Sequence, residues 1–209
     1  MAEIISASDP RIVEYAAGLL SRGELVCYPT DTVYGVGAAA SNEDAIRRLF
    51  AVKGRSLDKA MPLLIAQAGD ADRIAEVPAE AIRLIEVFWP GPLTLVMRRK
   101  RGFRSLALAN QDTVALRVPD ETVVRDVIAA VGEPITGTSA NLAGSRAPTS
   151  AAEAATQLGQ MVELVIDGGA RRGGQESTVL DITVAPPQVI REGAVSREEL
   201  AEARGSKVL

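Results

Sequence analysis

Four short polar motifs carry most of the information about the chemistry that this chain could do. Each follows an apolar run or lies where the pattern changes to a helix or a turn. Such junctions expose backbone N–H groups and small hydroxyls, which suit the binding of anions. In chain order the motifs are Pro29-Thr30-Asp31-Thr32-Val33-Tyr34-Gly35, Lys53-Gly54-Arg55, Ser139-Ala140-Asn141 and Glu176-Ser177-Thr178-Val179.

The composition excludes several kinds of catalytic site. The 209 residues include no histidine, so a Ser-His or Cys-His pair cannot form. Cys27 is the single cysteine, which excludes an internal disulfide and a multi-cysteine metal site, and we expect it to be buried. Fixed cations and hydroxyls without histidine favour a site that orients and neutralises a nucleotide over one that shuttles protons.

The first two motifs each have a structural as well as a binding interpretation. Asp31 and the proline before Thr30 favour a turn, but a turn does not need two threonines and a tyrosine. The alternative is a hydroxyl-lined floor for a small polar ligand. Lys53 and Arg55 end a helix, where cations are favourable, but with Lys59 they would equally form a phosphate clamp.

Polar groups later in the chain leave alternatives open as well. Arg117 alternates with apolar residues of its strand, either as an edge-strand charge facing water or as the partner of a carboxylate. The Ser139–Asn141 motif is by itself typical of a loop. The glycine-rich stretch 168–174 could cover a ligand, although it has neither Walker A nor Rossmann spacing. The basic stretch 98–104 is either a solvated loop or a contact for tRNA or a nucleotide.

Size and charge set the class of protein. With 47% hydrophobic residues the chain has ample material for a core, and we expect one domain over residues 1–209. The net charge of −4 argues against a general nucleic-acid binder. No apolar run is long enough to span a membrane and no secretory signal is evident, so we expect a cytoplasmic protein.

Helical and strand patterns interleave from end to end, which predicts an α/β fold with a mixed sheet. The predicted helices follow Asp9-Pro10, open at Ser41 with Asp44, run over Ala79–Trp89 and Glu121–Val131, and open at Ser150 with Glu153 and at Ser196 with Glu199. The predicted strands are Leu25–Tyr28, Pro62–Ala66, Leu93–Met97, Thr113–Val118, Pro134–Thr138, Val162–Ile166, Val179–Thr183 and Gln188–Arg191.

Taken together, the motifs resemble the YrdC family, the threonylcarbamoyl-AMP synthases. One such motif is weak evidence, but the matching segments follow the family's order over nearly the whole chain. The segments are Tyr28–Gly37, Lys53–Leu64, Phe88–Val96, Thr113–Pro119, Pro134–Thr149, Ile166–Asp181 and Val189–Gly193.

The resemblance implies a twisted mixed sheet flanked by helices, with a deep, positively lined concave cavity. It implies the reaction of L-threonine, bicarbonate and ATP, with Mg²⁺, to threonylcarbamoyl-AMP and pyrophosphate, and no metal site built by the protein alone. The product would pass to a tRNA threonylcarbamoyl transferase for modification of the adenosine beside the anticodon. By the resemblance, the catalytic residues are Lys53 and Arg55, the L-threonine site is Thr32, Arg117, Ser139 and Ser177, and the ATP site is Arg55, Lys59, Thr113, Asn141, Thr149 and Arg191.

Two features keep other functions open. Family members commonly carry a histidine shortly after the basic motif, where this chain has Leu64, Ile65 and Ala66. A paralogue with the same fold that acts as an RNA- or ribosome-binding module without threonine activity is therefore an alternative. A contact with tRNA or double-stranded RNA is a further expectation. The related domain of hydrogenase maturation, which handles carbamoyl phosphate, normally sits in a longer chain with zinc-finger cysteines, so the single cysteine disfavours it.

Overall fold

Helices and strands alternate along most of the chain in the computed structural model, which describes residues 1–171, 174–205 and 208–209. The helices in these ranges are α1 (Ile12–Ser21), α2 (Glu43–Val52), α3 (Ala79–Phe88), α4 (Thr122–Val131), α5 (Ala151–Leu158) and α6 (Arg197–Arg204). The strands are β1 (Glu3–Ser6), β2 (Val26–Tyr28), β3 (Gly35–Gly37), β4 (Leu63–Leu64), β5 (Ala75–Glu76), β6 (Leu93–Arg99), β7 (Thr113–Arg117), β8 (Ile135–Thr136), β9 (Thr138–Ser139), β10 (Leu164–Asp167), β11 (Thr178–Asp181) and β12 (Gln188–Arg191).

The strands form two mixed sheets, which confirms the predicted α/β class. One sheet has the order β1-β10-β2-β3-β9. The other has the order β12-β11-β6-β7-β4-β8, with β5 paired to β6. Parallel pairs such as β11 with β6 and antiparallel pairs such as β6 with β7 occur side by side.

The chain crosses from one sheet to the other at Gly137. The sequence pattern predicted one strand over Pro134–Thr138, but the structure has two short strands, β8 in one sheet and β9 in the other. A Cβ on Gly137 would lie 2.8 Å from Leu64 Cγ, so only glycine fits this crossing without displacing β4. The crossing brings Ser139 to the edge of β3, with Gly35 opposite Ser139 in the register.

Alternation along the strands separates core from cavity. On β7, Val114 and Leu116 are buried in the main hydrophobic cluster, whereas Ala115 and Arg117 face the space between the sheets. This is the alternation predicted from the sequence, and it places Arg117 on the polar face of the sheet. A second apolar cluster lies where α1 and α4 pack together.

The predicted helix starts are correct in some places and wrong in others. Ser196 and Glu199 form a complete capping box at α6, as predicted. At α2 the N-cap is Asn42, whose side chain accepts from Ala45 N, so the predicted pair of Ser41 and Asp44 is wrong. Ser41 binds Glu133 through its backbone N–H and its hydroxyl instead.

The start of α1 is also displaced from its prediction. Arg11 occupies the N-cap position, and no side chain caps this helix. The carboxylate of Asp9 accepts from the backbone N–H and the guanidinium of Arg11. Asp9 therefore stabilises the turn before the helix rather than its first N–H groups.

Candidate active site

A cavity of about 460 Å³ lies between the two sheets. Its wall is built by alternate residues of neighbouring strands, so side chains distant in sequence meet there. The predicted site residues on this wall are Thr32, Arg55, Thr113, Arg117, Ser139, Ser177 and Arg191. The structure therefore brings seven of the sequence-predicted residues together around one concavity.

Arg117 is the most enclosed cation of the cavity wall. Its side chain is 7% exposed and its Nη2 lies 2.6 Å from Asp31 Oδ1. Its Nε donates to the carbonyl of Gly91, and both Nη atoms lie 3.3 Å from Thr32 Oγ1. Burial lowers the pKa of Arg117, and the neighbouring Asp31 acts in the opposite direction. The guanidinium is thus held in one orientation from three sides.

The hydroxyls of Thr30 and Thr32 form a chain with a fixed direction. Thr30 Oγ1 donates its only proton to the carbonyl of Val33 at 2.7 Å. Its contact with Thr32 Oγ1 at 2.9 Å therefore requires Thr32 to be the donor. Thr32 Oγ1 then has only lone pairs to offer to Arg117. The turn that carries the first motif orients the arginine of a distant strand.

A second arginine of the cavity wall, Arg191, lies against the last motif. Its Nη1 pairs with Glu176 at 2.6 Å, and its Nη2 donates to the carbonyl of Ser177 at 2.9 Å. Ser177 Oγ lies 3.2 Å from the same Nη2 and 2.9 Å from Thr94 Oγ1. These contacts hold a cation and a hydroxyl together on the wall.

Arg55 reaches the same cavity from the loop after α2. Its Nε donates to the carbonyl of Lys59 at 2.8 Å, and its Nη2 donates to the carbonyl of Ala60. These bonds curl residues 55–60 around the guanidinium. Partial burial lowers its pKa, and one of its Nη atoms is left without a hydrogen bond in the described part of the chain.

Lys53 lies behind the wall rather than on it. Its Nζ donates to the carbonyls of Ser139 and Asn141 and to Asn141 Oδ1. Burial lowers its pKa to about 8. Asn141 is held in turn by Ser139 Oγ at 2.6 Å and by the carbonyl of Ser145. Lys53 therefore fixes the turn that presents Ser139.

The structure does not bring every predicted residue to the cavity. Lys53 and Asn141 support Ser139 from behind, and the exposed side chain of Lys59 is not part of the wall. Thr149 Oγ1 donates to Glu153 at the start of α5 instead of facing the cavity. No contact with the cavity wall supports these four side chains directly, and their assignment to the site stays a prediction.

The glycine-rich stretch is partly described. Tyr34 Oη donates to the carbonyl of Gly169 at 2.8 Å and accepts from Gly168 N at 3.1 Å. Arg171 pairs with Glu121 at 2.5 Å and lies over the Tyr34 ring, 5.9 Å from its centroid. Positions 172 and 173 of the predicted covering loop lie outside the described residues. The described part of the loop is thus anchored to the turn of the first motif.

Residues 18–193 match the Sua5/YciO/YrdC family, whose sequence model carries the description "Telomere recombination". The chain belongs to this family. The resemblance deduced from the sequence motifs is thereby confirmed.

Two curated proteins that are similar to this chain are named threonylcarbamoyl-AMP synthase, one of them as putative. The threonylcarbamoyl-AMP synthase of Pyrococcus abyssi is 40% identical over 194 residues, which cover 92% of this chain and 57% of the relative. The putative threonylcarbamoyl-AMP synthase of Mycobacterium tuberculosis (strain H37Rv) is 36% identical over 210 residues, which cover 98% of this chain and 96% of that protein. The chain thus spans little more than half of the first relative.

A solved structure of the same family is closely similar. The crystal structure of P. abyssi Sua5 complexed with L-threonine superposes with a TM-score of 0.93 at 38% sequence identity. The match covers 100% of this chain and 63% of that one. Separately, among the described residues of this chain, no helix has the length and apolar character needed to cross a membrane.

Sequence reasoning missed three contributors to the site. Asp31 was assigned to the turn alone, yet it pairs with Arg117. Thr94 binds Ser177 from the start of β6, where a buried threonine in an apolar run is the only signal. The carbonyl of Gly91 holds Arg117 Nε, and no side-chain pattern could indicate a backbone acceptor.

Proposed function

We propose that this protein condenses L-threonine, bicarbonate and ATP to threonylcarbamoyl-AMP and pyrophosphate. The observation that carries the proposal is the convergence of Arg55, Arg117 and Arg191 with several hydroxyls on one cavity. The names of the two curated relatives and the threonine complex of the similar structure support the choice of substrate. The product would pass to a tRNA threonylcarbamoyl transferase in the cytoplasm.

The threonine end of the cavity would lie at Arg117. A buried guanidinium held by Asp31 and Thr32 suits the carboxylate of an amino acid, because the arginine need not reorganise on binding. Ser139 and Ser177 lie on the same wall and would contact the polar groups of the substrate.

The nucleotide end would lie at Arg55 and Arg191. Both guanidinium groups are at the cavity wall, and Arg forks match phosphate oxygens well. Thr113 lines the same cavity at the opposite end of β7 from Arg117 and would belong to the nucleotide end. Lys53 and Asn141 would act on this site through the Ser139 turn rather than by touching ATP. The assignment of Lys59 and Thr149 to the ATP site stays a prediction, because no contact with the cavity wall supports it.

The negative charges of the two reactants decide what the site must do in the proposed reaction. The neutral amine of threonine forms a carbamate, either by displacing water from bicarbonate or by adding to carbon dioxide with loss of a proton. A carbamate oxygen then attacks the α-phosphorus, and the bond from this phosphorus to the departing pyrophosphate breaks. Both reactants are anions, so repulsion opposes their approach. Each preorganised donor that stabilises the developing charge can contribute about 3 kcal/mol. No side-chain base is needed for the second step, because the carbamate already carries the negative charge.

A magnesium ion that arrives with the nucleotide would be held by the carboxylates of the cavity wall, of which Glu176 also pairs with Arg191. The described residues contain no group of three or more His, Cys, Asp or Glu side chains that could hold a metal alone. Glu176 and Asp181 lie on the wall, and Mg²⁺ in ATP sites is usually held by one or two carboxylates plus phosphates. When bound, Mg²⁺ would neutralise phosphate charge.

Incubation with ATP, threonine and labelled bicarbonate tests the proposal directly. We expect label in threonylcarbamoyl-AMP and stoichiometric pyrophosphate, and neither product when any one substrate is omitted. Arg55→Ala should abolish turnover with little loss of stability, whereas Arg47→Ala, on the exposed face of α2, should leave it unchanged. No labelled product from the wild-type protein would refute the proposal.

Amino-acid selectivity gives a second test. One methyl group in a fitted pocket is worth about 1–3 kcal/mol, so serine should react several-fold to a hundredfold less efficiently than threonine. Equal kcat/KM for the two amino acids would contradict a pocket shaped around the threonine methyl.

A further inference from the structure

A second cavity, of about 660 Å³, lies on the other side of β4 from the candidate active site. Leu64 lines the first cavity, whereas the next residue along the chain, Ile65, lines the second. Its walls are α4, the 3-10 helix Ala68–Arg73 and the loop that contains Phe103 and Arg104. None of the residues that the structure describes lines both cavities.

The loop with Phe103 and Arg104 belongs to the basic stretch that the proposed reaction does not use. It is fixed at both ends. Lys100 N donates to the carbonyl of Ile74 at 2.8 Å, and Ser105 Oγ donates to the carbonyl of Ala40 at 2.6 Å. Arg99 Nη1 also donates to the carbonyl of Phe103 at 2.7 Å. The loop therefore presents its side chains to the cavity from an anchored backbone.

Three arginines of this cavity have unused hydrogen-bond donors. Among the described residues, Arg104 makes no hydrogen bond or ion pair. Arg73 only reaches Asp70 at 4.0 Å. Arg125 makes a single long bond, from Nη2 to Thr122 Oγ1 at 3.3 Å, and its buried Nε has no partner.

The acidic groups of the cavity are mostly occupied. Glu133 accepts from the backbone N–H and the hydroxyl of Ser41 at 2.8 and 2.7 Å. Asp70 accepts from the backbone N–H of Gln67 as part of a capping box. Only Asp126 on this wall has no hydrogen-bond partner in the part of the chain that the structure describes. The hydrogen-bonding capacity left unused is therefore mainly that of guanidinium N–H donors, while the three carboxylates and three guanidinium groups of the wall balance in formal charge.

We propose that this second cavity is a binding site for a nucleoside monophosphate or a phosphate ester of similar shape. Three guanidinium groups with free N–H donors match the oxygens of a phosphate dianion better than a single carboxylate. Ile74, Phe103 and Ile128 form an apolar floor that suits a planar ring. The volume is in the range of small-ligand sites. The proposal does not depend on the reaction proposed for the other cavity.

Nuclear magnetic resonance of ring-labelled phenylalanines distinguishes binding at the second cavity from binding at the candidate active site. The chain has three phenylalanines, and of these Phe103 lines the second cavity, whereas Phe50 and Phe88 line neither. Titration of ring-labelled protein with millimolar AMP should shift the Phe103 resonance in a saturable way and leave the other two in place. Adenosine, which lacks the phosphate, should shift it far less. An unshifted Phe103 resonance, or an equal response to adenosine, would overturn the proposal.

Charge-neutral variants test the role of the arginines. Arg104→Gln and Arg125→Gln should each weaken the AMP affinity read at Phe103 by about tenfold, because each removes charge-assisted hydrogen bonds. Arg101→Gln, on the same loop but outside the cavity, should leave the affinity unchanged. Arg104 is exposed, so its loss cannot be confused with unfolding.

Arg55→Ala separates the two cavities. It should abolish turnover yet leave the Phe103 titration intact. Loss of the Phe103 response in that variant would mean that AMP acts from the first cavity and would refute the second site. Equal affinity of Arg101→Gln and Arg104→Gln for AMP would refute it as well.

Discussion

Asp31 and Arg117 form a buried ion pair between a turn and a strand that are far apart in sequence. Asp31 Oδ1 lies 2.6 Å from Arg117 Nη2 and also accepts from the backbone N–H of Asp120 at 3.0 Å. The two side chains are 16% and 7% exposed. The pair therefore connects the first motif, the end of β7 and the segment that leads into α4.

Removal of one partner from this pair should be costly. Arg117→Ala leaves Asp31 with little solvent and no counter-charge, so we expect a loss of about 3–5 kcal/mol in the free energy of unfolding. Urea denaturation measures it, and the double variant Asp31→Ala with Arg117→Ala should regain part of the loss. Arg11→Ala, which breaks the exposed pair with Asp9, should have little effect. Equal losses for Arg11→Ala and Arg117→Ala would contradict the importance of burial.

Thr30 should act on the amino-acid site without touching the substrate carboxylate. Thr30→Val removes the acceptor of the Thr32 proton, so Thr32 would no longer offer only lone pairs to Arg117. We expect KM for threonine to rise about tenfold with little change in KM for ATP. Thr30→Ser keeps the hydroxyl and should restore KM for threonine. A parallel rise in both KM values, without rescue by serine, would indicate a general structural effect instead.

Gly37 should tolerate no side chain. A Cβ there would lie 2.5 Å from the carbonyl oxygen of Thr136 and 3.0 Å from the Tyr28 ring. Tyr28 Oη donates to that same carbonyl, so the clash disturbs a hydrogen bond at the cavity wall. Gly37→Ala should cost about 1–3 kcal/mol in urea denaturation. Gly102→Ala is the matched control because nothing lies within 4 Å of its added Cβ.

The sequence predicted the α/β class and the alternation of β7 because both depend on the local order of apolar and polar residues. In β7 the apolar residues Val114 and Leu116 alternate with Ala115 and Arg117. A strand places successive side chains on opposite faces of its sheet, so this alternation separates the two faces. The division of one predicted strand at Gly137 depends instead on the close approach of Leu64, which is distant in sequence. Local patterns do not contain that information.

The residues of the candidate site also fall into two groups, those that the sequence predicts and those that it does not. Arg117 and Ser177 could be predicted because their motifs match a known family. Their supports, Asp31 and Thr94, depend on which strands become neighbours, so the sequence did not distinguish them from ordinary turn and core residues. Thr149 stays a prediction, because its hydroxyl donates to Glu153 in the first turn of α5 and no contact with the cavity wall supports its role.

Lys53 should make the stability of the protein depend on pH. Burial lowers its pKa to about 8, from the ordinary value of 10.5 in the unfolded chain. Between these values the unfolded chain holds a proton that the folded chain lacks, so the free energy of unfolding should rise with pH. Lys53→Met should abolish this rise, although it also lowers stability overall by removing the bonds to Ser139 and Asn141. Cys27, whose pKa burial raises to about 12 from 9, gives the opposite slope above pH 9 in both proteins. The difference between the two urea-denaturation profiles therefore isolates Lys53, and profiles that stay parallel from pH 8 upward would show that its ammonium group is not destabilised by burial.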